Sequence, residues 1–192
     1  RIPALLSTGR MSKITIRYRF TFPDSSERTF SLEMDRDTAV LTPSERTDLP
    51  AWTALEFNKC AGCPFEASQV SHCPAAVHLS TVLDGFQDLI SYDTVRVNVE
   101  SEERTVTATL SAQQALASLM GLVMASSGCP RTAVFRPMAR FHLPFSSESE
   151  TAYRVAAMYL VAQHFALRDG VTPDLALENL ERVYRGVHSV NR

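Results

Sequence analysis

Glycine is scarce in this chain: seven residues, none of them clustered. There is no G-x-x-x-x-G-K-[ST] loop to cradle phosphates and no G-x-G-x-x-G turn to approach a dinucleotide. A G-x-S-x-G nucleophile elbow is missing too. Lysine occurs only at Lys13 and Lys59, with arginine in its place, and the net charge is −2. A base-composition bias explains that choice, and bidentate anion contacts would profit from it. With no basic stripe, nucleic acid is not expected as a partner. The longest apolar stretch, Ala152 to Leu167, falls short of the roughly 20 residues a membrane span needs. It is interrupted by Arg154, Gln163 and His164. No membrane span is expected, and the stretch reads as a core helix.

What is present is an ordinary globular composition, 45% hydrophobic and 21% charged over 192 residues. One domain can bury a core at that length. Residues 1–10 lack the apolar core of a signal peptide, and Met11-Ser12-Lys13 resembles a natural start. The expectation is a disordered or non-native leader at 1–10, a single α+β domain over 11–192, and a cytoplasmic, reducing location.

Ile14, Ile16, Tyr18, Phe20 and Phe22 alternate with polar residues, and Phe30, Leu32 and Met34 do so again after the Pro23–Ser26 turn. Residues 13–35 therefore predict a hairpin. Val95, Val97 and Val99 and then Val106, Ala108 and Leu110 predict a second over 94–110. The acidic tip Ser101–Arg104 reads as solvated. Ala51 to Phe57 reads as a short strand after a polar loop. Four helices are expected. One follows Cys73 on a stripe of Ala75, Leu79, Val82, Phe86 and Leu89, with Pro74 at its first position. A second, apolar on nearly all sides, runs from Ala112 to Ser127 and is closed by Gly128. A third starts at the Ser147/Glu150 capping box and ends at Gly170. The fourth begins at Thr172-Pro173-Asp174, with Leu177, Leu180, Val183, Tyr184 and Val187 as its apolar face. The fold class is α+β: two antiparallel β-hairpins, about four helices and a cysteine knuckle.

That knuckle carries the chemistry. Cys60-Ala-Gly-Cys63-Pro is followed by His72-Cys73-Pro74, and the remaining cysteine lies in Ser127-Gly128-Cys129-Pro130. A C-x-x-C turn lets two thiolates reach one ion, and four thiolates satisfy tetrahedral Zn²⁺. In a reducing setting clustered cysteines are metal ligands or redox groups more often than disulfides. Cys60, Cys63, Cys73 and Cys129 are the expected metal ligands, with His72 and His78 as substitutes. Three of the cysteines precede proline, a context shared with iron–sulfur ligands, so spacing does not choose between zinc and a cluster. Disulfides or buried free thiols remain open as well. Four thiolates leave no open coordination position, so nothing favours catalysis.

The segment Phe135–Phe145 is aromatic, apolar and arginine-containing. It reads either as a buried loop packed over the metal site, or as a recognition loop with Arg136, Arg140 and His142 binding an anion or an acidic partner. Taken together, C-x-x-C-P, H-C-P, S-G-C-P and P-M-A-R-F-H-L-P-F resemble an uncharacterised bacterial family, a domain of unknown function, from about Met11 to Asn191. The resemblance implies that the cysteines and the arginine-containing loop belong to one unit. It carries no activity. The expected function is a non-enzymatic intracellular module with a structural zinc site, presenting a surface to a protein partner or to itself. The alternative is an iron–sulfur redox or electron-transfer protein using the same four cysteines.

Overall fold

A computed structural model describes residues 13–86 and 93–188. The 1–10 leader, Met11, Leu89 and the Val187 side chain lie outside the described residues. Both expected hairpins form: β1 (Lys13–Thr21) pairs with β2 (Glu27–Asp35), and β3 (Thr94–Glu100) with β4 (Thr105–Ser111). They are not separate units. β1 pairs antiparallel with β3, matching Tyr18 to Val99 and Phe20 to Val97, and gives one four-stranded sheet of order β2-β1-β3-β4. The cause lies in the alternation itself. Ile14, Ile16, Tyr18 and Phe20 point to the face that Val95, Val97 and Val99 share, and joining the central strands buries all seven.

Helices α1 (Pro74–Asp84) and α2 (Ala112–Ser126) pack with that face into one core. The expected stripe forms in part: Leu79 is half-buried, and α1 ends at Asp84, so Phe86 packs from the turn beyond it. Ala75, Val82 and Phe86 are buried, and Phe86 meets Phe20 edge-on at 5.0 Å and stacks on Phe30 at 5.1 Å. At the start of α2 the Ser111 hydroxyl accepts from Gln114 N–H, and the Gln114 side chain accepts from Ser111 N–H. α2 buries Ala115, Leu119, Leu122 and Val123, while Ala117 and Gly121 face outward.

Three expectations change after this core. The strand foreseen at Ala51–Phe57 is a 3-10 turn, Ala51–Thr53, followed by an isolated bridge between Ala54 and His72. Pro50 and the turn's own hydrogen bonds leave too few donors for a ladder. The connection after Cys129 is largely helical: a 3-10 segment, Pro130–Phe135, runs into α3 (Arg136–Arg140). The fourth expected helix is α5 (Glu178–His188), which starts later than Thr172. The Asp174 carboxylate accepts from Glu178 N–H at 3.1 Å and Asn179 N–H at 2.7 Å, and Leu177 takes φ +63° just before the helix.

α4 (Glu148–Arg168) begins at the predicted capping box, where Ser147 and Glu150 bond reciprocally. It is not the core helix that its composition suggested, since Val155 is its one buried residue. α2 already covers the sheet, and α4 packs outside it against α3. No helix among the described residues is long and apolar enough to cross a membrane.

Candidate metal centre

Residues 53–55 and 71–73 run side by side, with Leu55 N–H donating to Ser71 C=O at 2.9 Å and Cys73 N–H to Thr53 C=O at 2.8 Å. The loop between them carries the C-x-x-C turn. Inside its base the buried Thr53 hydroxyl donates to Pro50 C=O at 2.7 Å and meets His72 Nδ1 at 2.9 Å. Having spent its proton on Pro50, the hydroxyl accepts from Nδ1–H, which leaves the His72 lone pair on Nε2. His72 therefore clamps the base of the loop. His78 is half-buried on α1 and lines a groove beside Thr81 and Val82. Burial in that groove lowers its pKa.

The turn itself closes with Cys63 N–H donating to Cys60 C=O at 3.0 Å, and Gly62 sits at φ +73°. That φ favours glycine, and a Cβ there would lie 3.1 Å from Arg131 Nη1, close enough that the arginine would have to give way slightly. The same nitrogen donates to Ala61 C=O at 2.7 Å. Arg131 stands two residues after Cys129, so its side chain joins the C-x-x-C turn to the segment bearing the fourth cysteine. Sequence reasoning did not find Arg131, because nothing in local spacing marks a contact across 70 residues.

Cys73 is the N-cap of α1, and Cys129 is the residue before the 3-10 segment; a proline follows each at the first helical position. Prolines there cost no hydrogen bond and fix the turn into each helix. The N-terminal end of α1 carries partial positive charge, which suits an anionic neighbour. All four cysteines are free thiols, Cys129 buried and the others half-buried. Burial pushes the Cys60 thiol up first, and Cys63, Cys73 and Cys129 each add to that by charge repulsion. Thiols from three separate segments thus converge on one region. Among the described residues, however, no group of three or more His, Cys, Asp or Glu side chains is arranged to hold a metal ion. Convergence is a property of the fold here, and coordination is not.

The arginine segment divides. Arg140 Nη1 lies 3.7 Å from Glu103 Oε1, and its guanidinium sits 5.0 Å from the centre of the Phe141 ring. Glu102 pairs with Arg36 at 2.6 Å. The acidic β3–β4 tip is therefore not simply solvated, because it receives two arginines from elsewhere in the fold. Arg136 points a different way, with its Nε buried and without a hydrogen-bond partner. His142 turns inward, its Nε2 2.5 Å from the hydroxyl of fully buried Tyr18, which also meets Ser118 Oγ at 2.9 Å. Phe145 N–H donates to that Ser118 oxygen at 3.2 Å. Burial, and then the charge of Arg154, lower the His142 pKa to about 4, so the ring is neutral near pH 7. A neutral ring bonded to a tyrosine is a packing group and a poor anion receptor. Arg140 and His142 both line one cleft beside the β3–β4 tip, and Arg136 is not among its lining residues. Tyr18 and Ser118 are partners that the sequence could have suggested, since a buried hydroxyl needs one.

The architecture is a small α+β domain with one antiparallel sheet, in which thiols from three segments gather at the helix starts. The chain belongs to the family described as "Domain of unknown function (DUF6901)", whose profile matches residues 16–192. No curated protein and no solved structure matches it.

Proposed function

We propose that this protein is a non-enzymatic intracellular metal-binding module. Cys60, Cys63, Cys73 and Cys129 hold one structural Zn²⁺, and the domain around them presents a surface to a protein partner. The observation that carries the reading is that the fold brings the Cys60–Cys63 turn, Cys73 and Cys129 into one region, close enough for the other three, when ionised, to repel a Cys60 thiolate. A divalent cation is the species that relieves such repulsion, and an all-thiolate donor set suits tetrahedral zinc. Loading the ion requires the cysteine side chains to rearrange, because the described residues are not arranged to hold one. Arg131 supplies a positive group beside the turn, which offsets part of the net charge of a four-thiolate zinc site.

Metal binding is coupled to folding in such sites. Protein purified from its native source without chelators or affinity metals should contain about one zinc per chain and be colourless. Changing Cys73 or Cys129 to Ser should remove zinc and lower the melting temperature together. A Cys129→Ser protein with full zinc content and an unchanged melting temperature excludes Cys129 from the site. The three Cys-Pro pairs favour a second reading, an iron–sulfur redox protein using the same thiols. A brown preparation with stoichiometric iron and sulfide, bleached by dithionite, would replace the zinc reading with that one.

A further inference from the structure

α4 carries an apolar stripe on its outer side. Tyr153, Ala157, Leu160, His164 and Leu167 follow one another at alternating steps of four and three residues, the spacing that keeps one line along a helix. Val161 lies beside the line. The exposures are 77% for Tyr153, 38% for Leu160, 56% for Val161 and 55% for Leu167. Scattered apolar residues on a surface are ordinary, but a contiguous line over several turns is not.

Tyr153 and Leu167 lie seven residues either side of Leu160. Laid against its own copy in the opposite direction, Leu160 meets Leu160 at a two-fold axis, and each Tyr153 faces the Leu167 of the other chain. The charges agree with that direction. Glu150 and Arg168 sit about five turns apart on the same flank of the stripe, so the antiparallel pair places each Glu150 opposite the other chain's Arg168. Hydrogen bonding holds the Glu150 carboxyl below its usual pKa, mainly through Ser147 N–H and then its hydroxyl. Both of those bonds use Oε2, and Glu150 is exposed. The Arg168 side chain is exposed and makes no ion pair or hydrogen bond with another described residue. A parallel pair would put the two copies of each residue at the same level on opposite flanks, leaving Glu150 and Arg168 about five turns apart with no cross-chain charge pairing. The geometry points to a second copy of this chain as the occupant of the α4 stripe, joined antiparallel across a two-fold axis. A self-complementary patch of this kind is what an isologous dimer requires. This names the partner in the surface-presenting half of the proposed function and rests on that reading, while making no use of the metal.

The test is sedimentation equilibrium of the full chain at micromolar concentrations, with zinc measured on the same samples. The wild type should have twice the monomer mass. Leu160→Glu replaces a surface residue, so the fold should survive while the mass falls to that of a monomer at unchanged zinc content. Arg168→Glu should weaken the dimer about tenfold, and adding Glu150→Gln, which keeps the cap, should recover part of the loss. A wild type that is monomeric at 100 times those concentrations overturns the proposal, as does a Leu160→Glu dimer. A monomer whose α4 amides lose exchange protection when residues 1–12 are removed gives the stripe to that segment instead. Zinc-free protein that still dimerises as described defeats the metal reading and leaves this one standing.

Discussion

The buried pair of His142 and Tyr18 makes an acid-sensitivity prediction that can be worked through. Unfolded, the imidazole has a pKa near 6.5; folded, it falls to about 4. The folded state therefore holds the ring neutral, and the stability that depends on neutrality is fully present above pH 6.5. It drains away as pH falls, because the unfolded chain takes up the proton first. Each pH unit between the two values costs about 1.4 kcal/mol. Between pH 7 and pH 5 the loss is about 2 kcal/mol, an upper figure because His142 keeps a partly exposed edge on the cleft shared with Arg140 and Glu103. The structural cause is specific. With the ring neutral, Phe145 N–H, the Ser118 hydroxyl and the Tyr18 hydroxyl can donate in sequence toward Nε2. A protonated ring has no acceptor there and breaks that order. Urea denaturation of wild type and His142→Gln at pH 7, 6 and 5 measures it. Carboxylates such as Asp35 and Asp174 titrate in both proteins, so their contribution cancels in the difference. Stability of the wild type should fall more steeply than that of the variant, by about 2 kcal/mol at pH 5. Parallel slopes for the two proteins would refute the reasoning.

The remaining predictions concern Arg131 and Arg140. A Cβ at Gly186 would collide with Arg131 Nη2, whose guanidinium is held on its other side by the C-x-x-C turn through Ala61 C=O. Gly186→Ala should then cost about 1–3 kcal/mol in chemical denaturation and loosen zinc; an unchanged midpoint with unchanged metal content would show that Arg131 swings clear without consequence. Arg140 pairs with Glu103 at 3.7 Å, and the Glu103 side chain is 39% exposed. Arg140→Gln should cost no more than about 1 kcal/mol by thermal or urea unfolding, and a larger loss would show that stacking on Phe141 matters more than the charge pair.

Where the sequence could be read, the reason was local. The alternation Ile14-Ile16-Tyr18-Phe20 commits a strand with one buried face wherever that strand ends up. Ser147 with Glu150 satisfies the first orphan N–H groups of α4 from within a few residues, and Pro74 after Cys73 simply removes one of those of α1. The C-x-x-C turn with Gly62 closes through a hydrogen bond between its own two cysteines. All of these were legible because the interacting groups are neighbours in the chain. Asp174 misled for the same kind of reason: it looked like the opening of a helix, yet it caps α5 from four and five residues upstream.

Partner choice between segments needed the tertiary structure. Nothing in either hairpin says that β1 will pair with β3; the choice follows from burying two apolar faces at once under α1 and α2. Composition made α4 look like a core helix, but the space over the sheet was already taken by α2, so its apolar residues were left outside. The acidic tip looked solvated until the fold delivered Arg36 and Arg140 to it, and the arginine segment read either as a packed loop or as a recognition loop, whereas its backbone turns His142 toward Tyr18 and Arg140 toward Glu103. The four cysteines show both halves. Their types and turns are written in the chain, and with them the capacity to bind a soft divalent ion. Their gathering from positions 60–63, 73 and 129 depends on a hydrogen bond from Arg131 to Ala61 and on the pairing of residues 53–55 with 71–73, contacts whose energy exists only once distant backbone has been brought together.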